Sequence, residues 1–428
     1  MMTVSDGKPC IGQLHKSRVL FFLPEGNVFT NGVYASQCLG LARYLVKSGL
    51  AECAILQLGV RDENRPVGGA FRRKFCRLMR LIHDAVSRKS FIEKRVLEEG
   101  IVLYEDTKTR RRLSIFRKIG FFIKVSKRVV PFVKEFEPTH IYCRSYQTAF
   151  GASYLSKKLN AKMVYSIRGE DVSEKRCGGG FYNYLVSFWV RRAVMQAIRR
   201  ADHINTVSKT FRSWLKNEYG CEASVTPCCV ADRMFNVGDS GKMVRQELGF
   251  SDSNKILIYC GGMWPWLCVD EMVMMMKNLC ETHTNIRVLF IVKNEQSVRS
   301  ICARAGFSQD FWRVHGCKPE EVSQYMRLGD VGIILLRGDV RDRVCSPIKV
   351  GEYLAAGLGV IAPECTGDFS RDAQDKSFYC KYDGCEKVNL YASFISGITE
   401  SDRVEARKFA RGNYTWDANQ PEIKKMFS

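Results

Sequence analysis

Ser346-Pro347-Ile348-Lys349, with Glu352 one turn later, puts a cation and a carboxylate at the start of one short helical segment. The first N–H groups of a helix have no intrahelical partners and sit at the positive end of its dipole, so such a start suits a phosphate. A carboxylate a few residues on can accept hydrogen bonds from hydroxyl groups. The chemistry suggested is the holding of a phosphorylated, hydroxyl-bearing ligand. The flanking residues read as a βαβ unit. Val331 to Leu336 is an apolar run of strand length, Ser346 suits the N-cap, Pro347 the first helical position, Gly357 the helix stop, and Gly359 to Ala362 the next strand. An ordinary capped helix of an α/β protein fits the same residues.

Other candidates stand at predicted strand ends, where α/β sheets place ligand contacts. Ile141-Tyr142-Cys143 runs into Arg144, and Lys162 to Ile167 runs into Arg168-Gly169-Glu170-Asp171, with Glu174 close behind. An exposed ion pair is the structural alternative for Arg168 and Glu170, and would contribute little. Gly26 and Gly32 lie between a first strand, Arg18 to Pro24, and a helix from Tyr34 to Ser48, without the G-x-G-x-x-G spacing. Gly261-Gly262 closes another strand, Lys255 to Cys260. The 6 histidines show no i, i+4 pair, and the 18 cysteines match no zinc spacing. No metal or other cofactor is expected. The cysteines read as free thiols of a reducing cytoplasm.

Strand-length apolar runs alternate with helix-period segments along all 428 residues, too many for one ordinary core. A polar, glycine-containing stretch from Asn236 to Asn254 suits a linker. The expected architecture is α/β with two nucleotide-fold domains, residues 1–236 and 237–411. No apolar run reaches the length of a membrane-spanning helix, and Met1 to Lys16 lacks the apolar core of a signal peptide.

The segment Ser-Pro-x-Lys-x-x-Glu-Tyr-Leu-Ala-x-Gly followed by a Val-Ile strand, residues 346–361, resembles the donor-site segment of glycosyltransferase family 4. These are retaining, nucleotide-sugar-dependent enzymes of GT-B fold, with two Rossmann-like domains facing across a cleft. Ala201-Asp202-His203-Ile204 to Val207-Ser208, then a strand ending at Pro227, then Val230-Ala231-Asp232 and Phe235, resemble the end of that family's first domain. Arg144 and Arg168 to Glu174 resemble a pattern of its polysaccharide-building members. The resemblance implies that residues 1–236 form the acceptor domain, that 237–411 form the donor domain, and that 412–428 cross back to the first. It implies that Glu352 holds the ribose hydroxyls of the donor and that Ser346, Pro347, Ile348 and Lys349, helped by Arg343, hold the diphosphate. It lets the nucleotide approach the backbone at Gly261 and Gly262. It puts Arg168, Glu170 and Lys349 in the catalytic machinery, and Gly32 and Arg144 on the acceptor side. Two positions depart from the family's pattern. Val344 stands where many members have a glutamate that touches the donor sugar, and no cation follows Gly262 in Met263-Trp264-Pro265-Trp266-Leu267.

The formal net charge of +21 is concentrated. Phe71 to Arg128 holds 18 Lys and Arg against 6 Asp and Glu, alternating with apolar residues as in Phe71-Arg72-Arg73-Lys74-Phe75. Helices of this pattern suit an anionic surface, such as a membrane leaflet. Nucleic acid is the other acidic partner, against which the family resemblance argues. The function expected is transfer of a sugar from a nucleotide-sugar to a glycan or lipid-linked glycan acceptor for a capsule, O-antigen or exopolysaccharide, by a cytoplasmic protein peripheral to the inner membrane face. The alternatives are a nucleotide-sugar epimerase or hydrolase of the same fold, and a non-catalytic nucleotide-sugar binder.

Overall fold

Parallel strands joined by helical crossovers bury both faces of a sheet, so their sequences are near-continuous apolar runs. Two such sheets form. The computed structural model describes residues 16–23, 35–58, 92–97, 100–106, 115–176, 180–236, 241–263, 267–316 and 321–428. The first sheet contains β1 (Ser17–Leu23), β2 (Ala51–Leu58), β3 (Ile92–Val96), β4 (Val102–Asp106), β5 (His140–Cys143), β6 (Lys162–Ser166), β7 (His203–Thr206) and β8 (Ser224–Val225). Its order is β3-β4-β2-β1-β5-β6-β7-β8, parallel except for β3 against β4. The second contains β9 (Lys255–Cys260), β10 (Ile286–Ile291), β11 (Trp312–His315), β12 (Val331–Ile333), β13 (Gly359–Ala362) and β14 (Tyr379–Lys381). It is parallel in the order β11-β10-β9-β12-β13-β14.

Each sheet is covered on both faces. One face of the first carries α1 (Gly40–Lys47), whose Leu41, Ala42 and Leu45 are buried with Phe21 and Tyr142. The other carries α2 (Ile115–Lys134), α3 (Tyr146–Leu159), α4 (Asp171–Arg176) and α5 (Gly180–Ile198), with Phe22, Phe122 and Tyr165 at its centre. Ser145 and Thr148 close a capping box at the start of α3, as their types and spacing favour. Ser208 caps α6 (Lys209–Tyr219) and Gly220 ends it in the left-handed region.

The two sheets share residues at their junction. Val230, Met234 and Phe235, from the first crossing, are buried in the second sheet's core. The Val230 N–H donates to the Tyr414 carbonyl at 2.8 Å, so the outgoing and returning chains run side by side. After the return, Trp416, Ile423, Met426 and Phe427 are buried in the first sheet's core, and Ser17 Oγ donates to the Phe427 carbonyl at 2.9 Å.

One expectation is corrected here. The basic segment Phe71 to Arg128 does not read through as helices. Residues 71–91 and 107–114 lie outside the described residues, and Ile92–Val96 and Val102–Asp106 form an antiparallel strand pair. Gly100 turns the chain, the Leu97 N–H reaches the Ile101 carbonyl at 2.9 Å, and the first strand begins and ends in β-branched residues, Ile92 and Val96.

Candidate active site

The second sheet delivers α7 (Val340–Val344) and α8 (Ile348–Ala355) after β12. Gly357 ends α8 in the left-handed region at φ +82°. Its N–H reaches the Leu354 carbonyl at 3.0 Å and the Leu358 N–H reaches the Tyr353 carbonyl at 2.9 Å, a Schellman closure. Tyr353 pins the helix to the sheet. Its ring lies where a Cβ on Gly332 would stand, so only glycine permits the approach. Its hydroxyl accepts from the Cys260 N–H at 2.8 Å and donates to the Ile333 carbonyl at 3.3 Å, tying α8 to the carboxyl ends of β9 and β12.

That tie sets the neighbouring side chains. Lys349 Nζ and Glu352 Oε2 are 2.5 Å apart, with 27% and 15% of their side chains exposed. Burial works against the Lys349 ammonium, but Cys260 and the Glu352 carboxylate outweigh it, and the net effect raises its pKa. Burial also pushes the Cys260 thiol up, which keeps it protonated at neutral pH. Gly261 and Gly262 leave β9 beside this pair, and Tyr259 OH donates to the Gly262 carbonyl at 2.6 Å. The pair can thus take a ligand bearing hydroxyls and a phosphate.

The helix begins one residue later than its sequence suggests. Pro347 is the N-cap, without a side-chain cap bond. Ser346 is not the cap, because its Oγ accepts from the Cys228 N–H of the crossing chain at 3.0 Å. Arg343 is exposed, and its Nε donates to the Gly338 carbonyl at 3.1 Å. Val344 is 2% exposed and is buried with the first domain's core cluster, which includes Ile167, Val172 and Phe211. Its carbonyl accepts from Ser208 Oγ at 2.7 Å. A position that resemblance places on a donor sugar is here an apolar contact between domains.

On the first domain, Arg168 ties strand ends together. It donates from Nε to Ser166 Oγ at 2.8 Å and from its two terminal nitrogens to the Thr226 carbonyl at 3.0 Å and to Tyr142 OH at 3.2 Å. Glu170 is buried and accepts from the N–H groups of Val172 at 3.1 Å and Ser173 at 2.6 Å, as a cap for α4. They do not form an ion pair with each other. Arg144 follows β5, with a terminal nitrogen 3.3 Å from Cys38 Sγ. Gly32 lies outside the described residues, as does the side chain of Glu174. Among the described residues no three His, Cys, Asp or Glu side chains converge on a metal-sized site.

Asp368 went unnoticed in the sequence. Its carboxylate crosses to the other domain and accepts from the N–H groups of Lys209 at 2.5 Å and Thr210 at 3.1 Å and from the Thr210 hydroxyl at 2.7 Å. It thus sits on the N-terminus of α6 beside the Ser208–Val344 bond, at the edge of an interdomain cavity of about 290 Å³. No local pattern signals a cap supplied from 158 residues away. Gln37, with Nε2 bonded to the Cys229 carbonyl at 2.8 Å, is a second such residue.

The whole-chain arrangement matches solved structures. A glycosyltransferase from Rickettsia africae ESF-5 is 14% identical, with 96% of this chain and 99% of that one covered and a TM-score of 0.64. Anabaena Alr3699/HepE in complex with UDP-glucose is 13% identical, with the same coverage and TM-score. WaaG, a glycosyltransferase involved in lipopolysaccharide biosynthesis, is 14% identical over 95% of this chain and 98% of that one, with a TM-score of 0.63. Two parallel-stranded α/β domains with a returning C-terminal helix are the GT-B fold. Residues 90–232, a third of the chain, match the model of Glycosyltransferase Family 4. A comparison with curated proteins finds no match.

Proposed function

We propose that the protein transfers a sugar, with retention, from a nucleotide-sugar to a glycan or lipid-linked glycan acceptor during assembly of a surface polysaccharide. The observation that carries this reading is the Lys349–Glu352 pair, held by Tyr353 at the carboxyl ends of β9 and β12. Glu352 suits the ribose hydroxyls and Lys349 the diphosphate, with Ser346, Pro347 and Ile348 presenting the start of α8. Structural neighbours that hold UDP-glucose or UDP support a nucleoside diphosphate there. In the reaction the bond from the anomeric carbon to the phosphate oxygen breaks and its electron pair leaves with the diphosphate. The acceptor oxygen bonds to that carbon from the same face, and its proton passes to the departing phosphate oxygen. The protein aligns the two substrates and stabilises the leaving charge. Lys349 carries most of that stabilisation, since no cation follows Gly262 and Arg343 bonds to Gly338. Arg168 and Glu170 act as positioning residues that hold the acceptor-side wall, with Arg144 and Gly32 beside them. The reading includes no metal, other cofactor or nucleic acid. It places the protein in the cytoplasm on the inner membrane face, drawn there by the basic region 71–128.

The burial of Val344 favours one second reading, a nucleotide-sugar epimerase or hydrolase of the same fold. Thermal unfolding with UDP, GDP, ADP, CDP or dTDP tests the donor site. A ligand at 100 times its dissociation constant adds about 2.7 kcal/mol. One nucleotide should stabilise the wild type and lose that effect in Glu352→Gln. If no nucleotide stabilises the wild type, the donor assignment falls. Release of free sugar from the matching donor without any acceptor glycan would favour the second reading.

A further inference from the structure

Helix α5 has a face that the donor site does not use. Its inward residues, among them Ser187, Val190, Ala193 and Ala197, are buried against the first sheet. Outward, Phe181, Tyr182, Tyr184, Leu185, Phe188 and Trp189 are 45–77% exposed. Positions 181, 185 and 188 fall on one line of a helix, with 182, 184 and 189 flanking it. Single exposed apolar residues are ordinary, but a cluster of large ones on one helix face marks a binding surface.

The charge around this face says what it binds. The same line continues to Arg192 and Arg199, both exposed, with Arg191 and Arg200 exposed beside them. The neighbouring helices of that layer add exposed Lys124, Lys127 and Arg128 on α2 and Lys157 and Lys158 on α3. Trp and Tyr rings, apolar in body and polar at the tip, settle at the boundary between acyl chains and headgroups, and adjacent cations meet anionic headgroups. In a parallel α/β sheet a crossover helix starts at the carboxyl ends of the strands, so the aromatic end of α5 stands at the end of the sheet that delivers Arg144 and Gly169.

We infer that the first half of α5 is a membrane-docking face that inserts its aromatic side chains into the surface of an anionic bilayer and brings the acceptor side of the cleft against it. This deepens the proposed function and rests on its membrane-borne acceptor for its purpose, but neither the docking nor its test involves the donor site. The experiment is flotation of the full chain with vesicles of phosphatidylcholine alone and of phosphatidylcholine and phosphatidylglycerol in equal parts. The wild type should float with the anionic vesicles, and Phe188→Ser/Trp189→Ser should lower partitioning by about tenfold or more, since burial of apolar area and anionic attraction together set such binding. Arg192→Glu/Arg199→Glu should weaken binding to the anionic vesicles and flatten its salt dependence, since fewer cations are left for salt to screen. Circular dichroism and the thermal unfolding midpoint show that the variants fold. If the aromatic variant floats like the wild type, α5 is not the docking face even though the chain binds membranes. If the wild type ignores both vesicles and the aromatic variant instead loses self-association in gel filtration, the face is a protein interface and the inference fails. The nucleotide reading stands or falls by its own assay in either case.

Discussion

Tyr353 decides more about the geometry of the candidate site than its charged neighbours do. Its hydroxyl is the partner of a buried Cys260 N–H, and its ring needs the missing Cβ of Gly332. Tyr353→Phe should therefore cost about 1–3 kcal/mol in urea unfolding, because it leaves a buried amide without a partner. Gly332→Ala should cost a similar amount, about 1–3 kcal/mol, by forcing the ring away, and should also reduce stabilisation by nucleotide, since α8 moves with the ring. Arg168 offers a sharper contrast. As a tie between strand ends it should be missed by the fold. Arg168→Ala is expected to lower the unfolding midpoint by the equivalent of about 1–3 kcal/mol, the desolvation cost of acceptors left unmet. Unchanged stability with lost turnover would instead make it a catalytic residue.

Among the elements, α6 is capped twice, by its own Ser208 and by Asp368 from the other domain. A carboxylate at a helix N-terminus meets orphan N–H groups and the positive end of the dipole. Asp368→Ala should destabilise the chain by about 0.5–2 kcal/mol, the range for a lost N-cap. Because the bond also joins the domains, the variant should broaden the unfolding transition or split it in two, and calorimetry would show this. A single sharp transition at the wild-type temperature would mean that the cap contributes nothing to holding the domains together. The pair Ser208–Val344 lies next to it, so the double variant with Ser208→Ala should lose less or more than the sum of the singles.

For the whole molecule, α10 (Gln420–Met426), which follows the long helix α9 (Glu400–Asn413), closes the first domain. Ile423, Met426 and Phe427 are buried there, and each contributes about 1.5–3 kcal/mol by leaving water. A chain ended at Asn419 should lose most of the first domain's stability while retaining the second domain's core. Two histidines beside α10 add a pH dependence. Burial lowers the pKa of His140, which packs edge-on against Phe427, and of His203, which bonds to Ser224 Oγ at 2.8 Å. A lowered folded pKa means that the unfolded chain takes up the proton first as pH falls. Their contribution is therefore fully present above the unfolded value of about 6.5 and declines as pH drops from there towards the folded pKa, by at most about 1.4 kcal/mol per unit for each histidine. Thermal unfolding from pH 8 down to 5 should show this loss, and His140→Phe should flatten it. Among the described residues no helix is long and apolar enough to cross a membrane.

The periodicity of apolar residues and the glycine, proline and serine punctuation by themselves determined the alternation of parallel strands and helices, the second sheet's βαβ unit and the place of Glu352 and Lys349 on its helix. These are local matters, since hydrophobic spacing and caps act within a turn or two of the chain. The hairpin inside the basic segment is not legible locally, because three charged residues fill the middle of Ile92–Val96 and leave no apolar alternation. The roles of Ser346, Val344, Arg168 and Asp368 depended on partners far along the chain: Cys228, the first domain's core, Thr226 and the start of α6. Glu170 found its partners nearby, in the first turn of the helix it caps. Whether a charged or hydroxyl side chain faces a ligand or satisfies a buried backbone group is settled by what the tertiary fold brings within hydrogen-bonding reach, and no local spacing encodes that.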